Sequence, residues 1–226
     1  MSWFVSYVRS SIGAKQVMAL TGVGLLLFAI FHMAGHFAMF AGREAYNTYA
    51  HTLQSLGALK WAARGGLLAI FVVHIISAIA LARANSAARP QKYAVFRTRR
   101  TTIFARTMTM TGLIILAFVI YHLAHFTFGW VQPEHFHTLD AKGRYDAYSM
   151  FVMGFENLAI LVSYLVAVTL LSFHLAHGAS SWMQTLGLRH PKYDPFITRL
   201  GPGLGLLLAL GYAAPPIAVY LDLIKL

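Results

Sequence analysis

The sequence contains no cysteine, and this absence excludes several classes of site. Without thiols the chain cannot form a disulfide, hold an iron–sulfur cluster, bind zinc through thiolates or attach a c-type haem covalently. Histidine is the strong soft-metal ligand that remains in number, with eleven copies. We therefore expect any metal site in this chain to be built from histidines.

Charge is also scarce, because only 11% of the residues are charged while 58% are hydrophobic and the mean hydropathy is +0.61. A bilayer core of about 30 Å requires roughly 20 apolar residues in a helix. The sequence therefore predicts an all-α integral membrane protein with five transmembrane helices in one domain, residues 1–226. The predicted spans are about 17–40, 61–82, 107–129, 157–178 and 203–222. The first has no small-residue cleavage site after it, so we expect it to remain as a span.

The few acids and the basic residues separate onto opposite sides of these spans. Basic residues accumulate on the cytoplasmic side of a membrane protein. The N-terminal arm, the second loop and the fourth loop hold Arg9, Lys15, Arg83, Arg89, Lys92, Arg97, Arg99, Arg100, Arg106, Arg189, Lys192 and Arg199. The other side holds Glu44, Glu134, Asp140, Asp146, Glu156 and Asp222. We predict a cytoplasmic N-terminus and a C-terminus outside.

The net charge of +11 follows from this distribution and from contact with anionic headgroups or a partner. No nucleic-acid partner is expected. The basic second loop could equally dock a peripheral subunit.

A repeat relates the first and third spans, residues 17–36 and 107–126. Eight positions are identical in pairs, including Thr21 with Thr111, Gly22 with Gly112 and His32 with His122. Chance could account for shared Leu and Phe between apolar segments, but a Thr-Gly followed ten residues later by His is less easily explained that way.

Each of the first four spans carries one histidine within the apolar run: His32, His74, His122 and His174. An ionisable residue inside the bilayer is costly and suggests a function, although a lone histidine can simply form hydrogen bonds within the core. At a rise of 1.5 Å per residue, His32 and His122 lie roughly 22 and 24 Å from the inner ends of their spans, and His74 and His174 roughly 14 and 12 Å. Two layers result, so His32 can face His122 and His74 can face His174.

Two neutral imidazoles on opposite sides of one iron, within a four-helix core, are the geometry of bis-histidine haem b. The first four spans are thus predicted to form a haem-binding bundle with two haem b. Zinc would require a third or fourth ligand at the same level, and none is obvious. A copper site or a proton relay would not require the histidines to lie in pairs at the same depth.

Further histidines lie one turn beyond three of these ligands: His36, His125 and His177. They are candidates for hydrogen bonds to haem propionates or to a quinone, or they are ordinary interfacial residues. Gly22 and Gly112 lie near the inner layer, where a missing side chain makes room for the second macrocycle or allows close helix packing. Gly201 and Gly205 predict close packing of the last span.

Several short motifs stand out along the chain: SSIG at 10–13, MALTG at 18–22, FAGREAYNTYAH at 40–51, RTM at 106–108, HLAHG at 174–178 and QTLG at 184–187. In combination they resemble the cytochrome b membrane anchor of succinate dehydrogenases, of the type with one five-helix subunit and two haems. The resemblance spans nearly the whole chain. It departs at His36, where relatives commonly carry Asn, and at Ser172, where some fumarate-reducing relatives carry a glutamate linked to proton movement.

The resemblance implies a subunit of succinate:quinone oxidoreductase or fumarate reductase in the bacterial inner membrane. Flavoprotein and iron–sulfur subunits would dock on the cytoplasmic side. The family's axial ligands fall on His32, His74, His122 and His174, paired first with third and second with fourth. This chain would then carry electrons and bind quinone, while succinate is oxidised in the flavoprotein.

If the quinone reacts on the outer side, the membrane potential would help to drive succinate oxidation by a low-potential quinone such as menaquinone. Our outer-side candidates are His36, Arg43, Tyr46 and Asn47, and our inner-side candidates are Ser11, Arg106 and Trp182. Three alternatives stay open: a cytochrome b anchor of another quinone-linked dehydrogenase, a transporter whose histidines line an ion path, and a structural anchor with an empty core.

Overall fold

A computed structural model describes residues 2–88, 91 and 101–226, and this part of the chain is helical. The helices are α1 (Trp3–Arg9), α2 (Ser11–His36), α3 (Arg43–Gln54), α4 (Ala58–Ala87), α5 (Ile103–Phe126), α6 (Ala147–Phe155), α7 (Leu158–Thr185) and α8 (Asp194–Tyr220). A 3-10 segment, Phe37–Ala41, continues α2, and another lies at Pro133–His135. The described residues include no strand, only an isolated bridge between Leu139 and Tyr145. Five helices are long and apolar enough to cross a bilayer: α2 with its extension, α4, α5, α7 and α8. The predicted helical class and number of spans are confirmed.

Side-chain caps begin three of the five long helices. Ser10 Oγ accepts from the Gly13 amide at 3.1 Å before α2, and Thr102 Oγ1 accepts from the Ala105 amide at 3.2 Å before α5. Asn157 Oδ1 accepts from the Ala159 amide at 2.9 Å before α7. Each cap satisfies an amide that the first turn leaves without a partner. Helices therefore start at these residues rather than where the apolar run begins.

Three shorter helices, α1, α3 and α6, were not predicted. Helix α6 is apolar, and seven of its nine residues are buried. Its N-cap, Asp146, accepts from the Ser149 amide at 3.1 Å. With α3, it covers one end of the bundle, where Phe155 and Val152 contribute to the main hydrophobic cluster.

We name the two ends of the bundle by charge. The acidic end carries α3, α6 and the carboxylates Glu44, Asp140 and Asp146. The basic end carries Arg9, Lys15, Arg106 and Arg189, and it is the predicted cytoplasmic end. Arg89, Lys92, Arg97, Arg99 and Arg100, which support the predicted orientation, lie outside the described residues.

The packing of the long helices is uneven. Helix α4 packs against α2, α5 packs against α7, and α2 and α7 also touch each other. Helix α8 lies along α7 and also contacts α2. Within the described helices, α2 and α5 do not pack closely, and neither do α4 and α7. The backbones of α2 and α5, and those of α4 and α7, are therefore separated from each other.

The predicted glycine face of the last span lies against α7. A Cβ on Gly201 would collide with the Ala176 carbonyl oxygen, and one on Gly205 would stand 2.6 Å from the Ser172 carbonyl oxygen. The Gly201 amide donates to Ser180 Oγ at 3.1 Å. These two glycines allow the backbones of α7 and α8 to approach closely.

Candidate functional site

Two pairs of histidines connect helices whose backbones do not pack closely. His32 of α2 meets His122 of α5 with 5.9 Å between ring centres and 77° between ring planes. His74 of α4 meets His174 of α7 with 6.5 Å between ring centres and 68° between planes. The first pair lies towards the acidic end and the second towards the basic end. The structure thus brings together the residues that were paired by depth.

The spacing within each pair fits two ligands of one metal. An imidazole nitrogen binds a first-row metal at about 2 Å, so two imidazoles on opposite sides of one ion have ring centres roughly 6 Å apart. Both measured separations agree with this distance. Within the described residues no cluster of three or more His, Cys, Asp or Glu could hold a metal ion. Each layer brings two histidines together, and two is the number of protein ligands that a bis-histidine haem would require.

The basic-end histidines are held through their Nδ1 atoms. His74 Nδ1 lies 3.2 Å from the Met18 carbonyl oxygen and 3.3 Å from Thr21 Oγ1. A carbonyl oxygen only accepts, so Nδ1 carries the proton and Nε2 keeps its lone pair. A ligating histidine usually donates its other N–H in this way.

The repeat reproduces this arrangement on the other helix pair. His174 Nδ1 lies 3.3 Å from Thr111 Oγ1, and the Met108 carbonyl is also its hydrogen-bond partner. The Thr111 hydroxyl donates to the Thr107 carbonyl at 3.0 Å, so its oxygen can accept from the imidazole. The identical Thr and Met pairs of the repeat thus perform the same task for two histidines of different helices. The repeat is visible in the sequence, but this role of the threonines was not predicted from it.

Gly22 and Gly112 lie directly against these imidazoles. A Cβ on Gly22 would be 3.3 Å from His74 Cε1, and one on Gly112 would be 3.4 Å from His174 Cε1. The contact at Gly22 is closer than ordinary van der Waals packing, and the contact at Gly112 is at the lower limit of it. The two glycines leave room for the histidine rings.

The acidic-end histidines use tyrosines instead. His32 Nδ1 lies 3.4 Å from the hydroxyl of Tyr212, which donates its own proton to the Ala29 carbonyl at 2.7 Å. His122 Nδ1 lies 3.4 Å from the hydroxyl of Tyr164. Neither tyrosine was singled out in the sequence, and no motif or spacing there indicated them.

The second set of histidines occupies three different environments. His36 lies next to His32, with ring centres 4.7 Å apart, and its Nδ1 lies 3.1 Å from the Tyr46 hydroxyl. His125 is buried, with Nδ1 3.0 Å from the Tyr164 hydroxyl and Nε2 3.0 Å from Gln132 Oε1. His177 is half-buried in α7, one turn beyond His174.

The outer-side quinone candidates belong to a polar network that holds α6. Arg43 pairs with Asp146, and the fully buried Asn47 donates to Asp146 Oδ1 at 2.9 Å. The Asn47 amide oxygen accepts from the Tyr148 amide at 2.9 Å. Burial alone would raise the pKa of Asp146, but hydrogen bonds from Arg43, Asn47 and Ser149 outweigh it and lower that pKa to about 2. Because Asn47 is fully buried, it could affect a ligand only indirectly, through its interaction with Asp146, which also binds Arg43, and through the position of α6.

Tyr46, the remaining outer candidate, is buried between His36 and Phe151, and this burial raises its pKa. The inner-side candidates Ser11, Arg106 and Trp182 lie at the basic end, on α2, α5 and α7.

Comparisons of the chain with models of known families, with curated proteins and with solved structures found no match.

Proposed function

We propose that this chain is a di-haem cytochrome b membrane anchor of a succinate:quinone oxidoreductase. The observation that carries the proposal is the pair of histidine layers, each with ring centres roughly 6 Å apart and with Nδ1 atoms held by hydrogen bonds. Five apolar helices long enough to cross a bilayer supply the setting in which such a core would be kept from water.

The histidines would hold one haem b between His32 and His122 and another between His74 and His174. When bound, the haems supply single-electron transfer between the iron–sulfur subunit and a membrane quinone. The residues of this chain keep the Nε2 lone pairs free by engaging Nδ1. Aromatic side chains at the acidic end pack against that pair, and the ring centre of Phe118 lies 6.0 Å from that of His122.

The assignment to a succinate:quinone oxidoreductase rests on the sequence motifs. It is the more specific part of the proposal. Flavoprotein and iron–sulfur subunits would dock at the basic end, facing the cytoplasm. Quinone would react at the acidic end near His36, Tyr46 and Arg43. An electron that crosses the bilayer exchanges about 2.3 kcal/mol per 100 mV with the membrane potential, which would suit a low-potential quinone such as menaquinone.

The first experiment is a reduced-minus-oxidised visible spectrum of the purified complex, with haem per chain measured by the pyridine haemochrome method. We expect two haem b per chain. His32→Ala, His74→Ala, His122→Ala and His174→Ala should each remove one haem, because the remaining imidazole of a pair cannot hold a bis-histidine haem alone. His51→Ala, at an exposed position, is the matched control and should retain both.

A correctly folded complex without haem would overturn the cytochrome proposal and favour a transporter with histidines along its path. Copurification of the haem-loaded chain with a different dehydrogenase would overturn only the succinate assignment.

The side of the quinone site needs a separate test. A photoreactive menaquinone analogue should label peptides from 36–47 near the acidic end. Labelling confined to peptides that contain Ser11, Arg106 or Trp182 would place the reaction at the basic end and contradict the coupling to membrane potential.

A further inference from the structure

A chain of hydrogen bonds leads from His122 to a loop at the acidic end. His122 Nδ1 lies 3.4 Å from the Tyr164 hydroxyl, and the same hydroxyl lies 3.0 Å from His125 Nδ1. His125 Nε2 in turn lies 3.0 Å from Gln132 Oε1. The four side chains come from α5, α7 and the loop after α5.

The acceptor at the end of this series of hydrogen bonds determines the direction of every hydrogen bond in it. The Gln132 amide oxygen only accepts, so His125 Nε2 donates to it and His125 Nδ1 keeps a lone pair. That lone pair accepts the Tyr164 hydroxyl proton. The Tyr164 oxygen is then left to accept from His122 Nδ1, and His122 Nε2 stays unprotonated.

The four side chains lie in a specific and largely buried arrangement. Gln132 has a left-handed backbone, with φ of 56°, which is uncommon for a residue other than glycine. Tyr164 is 7% exposed and His125 is 3% exposed. The Phe118 and Phe155 rings each lie 4.9 Å from the Tyr164 ring. The apolar surroundings disfavour replacement of the tyrosine hydroxyl by solvent.

We propose that Tyr164, with His125 and Gln132 behind it, is a positioning residue that fixes the proton and the orientation of His122 and thereby tunes the acidic-end haem. This rests on the proposed function. His125 is thereby assigned to the support of a ligand, in place of the predicted contact with a propionate or a quinone. The outer partners of a ligating histidine raise its basicity, and hydrogen bonding to the axial ligand is one way a protein sets the reduction potential of its haem.

The test is potentiometric titration of both haems in the intact complex, followed by the low-spin ferric electron paramagnetic resonance signals. Y164F should retain two haems per chain and shift the midpoint potential of one haem upward, because His122 loses its acceptor and becomes a weaker donor to ferric iron. The other haem should keep its potential. Q132L should shift the potential of the same haem in the same direction by a smaller amount. Without the Gln132 acceptor the direction of the hydrogen bonds is no longer fixed, but this change lies further from His122 than the Tyr164 hydroxyl does.

Tyr121 supplies the matched control. Its ring centre lies 5.8 Å from that of Tyr164, and among the described residues its hydroxyl has no hydrogen-bond partner. Y121F should leave both potentials and both resonance signals unchanged.

Two outcomes would overturn the inference: unchanged potentials and signals in Y164F, or a Y164F shift with no effect of Q132L. An equal shift in Y121F would also overturn it, because it would show a general effect of the aromatic cluster. Absence of haem from the wild-type complex would instead defeat the proposed function, so the two failures are distinguishable.

Discussion

Single residues at the acidic end carry several interactions at once, and Asp146 is the strongest example. Its carboxylate caps α6, pairs with Arg43, accepts from the Asn47 amide and accepts from the Ser149 hydroxyl at 2.8 Å. The carboxylate itself is 1% exposed. Removing it would leave buried donors without partners on two helices that are a hundred residues apart in the sequence.

We expect Asp146→Ala to lower the stability of the folded chain by about 2 kcal/mol at neutral pH, from the lost cap and the unpaired buried amide. The apparent melting temperature in detergent is the measurement. Glu134→Ala, at an exposed position in the preceding loop, is the control and should melt like the wild type.

The same residue predicts a dependence on pH. The carboxyl titrates near pH 4 in an unfolded chain and at about 2 in the folded one. Its ionised form therefore stabilises the fold above about pH 4, and this contribution declines as the pH falls from about 4 towards 2. The difference in melting temperature between wild type and Asp146→Asn should shrink over that interval. A difference that stays constant down to pH 2 would contradict the assignment.

At the scale of elements, the long spans could be predicted because a run of about 20 apolar residues has few other stable locations. Helix α6 could not be predicted in the same way. Its nine apolar residues are too few to cross a bilayer, and its position depends on Arg43 and Asn47, which come from a helix far away in the sequence. Depth along each helix was sufficient to pair His32 with His122. The tyrosine partners also depend on how each helix is rotated, which hydropathy does not report.

The contact of α7 with α8 gives a prediction at this scale. Gly205→Ala should lower the apparent melting temperature, because a Cβ there would stand 2.6 Å from the Ser172 carbonyl oxygen and the backbones would have to separate. Gly203→Ala, two residues away in the same helix, has no atom within 4 Å of the added Cβ and should be neutral or slightly stabilising. Equal behaviour of the two variants would show that α7 and α8 do not pack as described.

For the whole molecule, the predicted orientation can be measured directly. The sequence contains no cysteine, so a thiol reagent would label this chain only at a cysteine that is introduced. We expect Ser2→Cys to be protected from a membrane-impermeant thiol reagent in intact spheroplasts and Lys225→Cys to be labelled. Both should react after permeabilisation. The reverse pattern would place the basic end outside, and with it the proposed docking surface for the flavoprotein and iron–sulfur subunits.

The lack of close packing between α2 and α5 and between α4 and α7 has a consequence for biogenesis. Among the described helices, α4 packs closely only against α2, and α5 only against α7. A ligand held by both members of a histidine pair would tie each of these peripheral helices to a second neighbour, and its binding free energy would add to the stability of the fold. If that ligand is one of the proposed haems, its insertion would be a late step of maturation, and a cell starved of porphyrin should accumulate a chain whose α4 and α5 are cut by proteases before the rest.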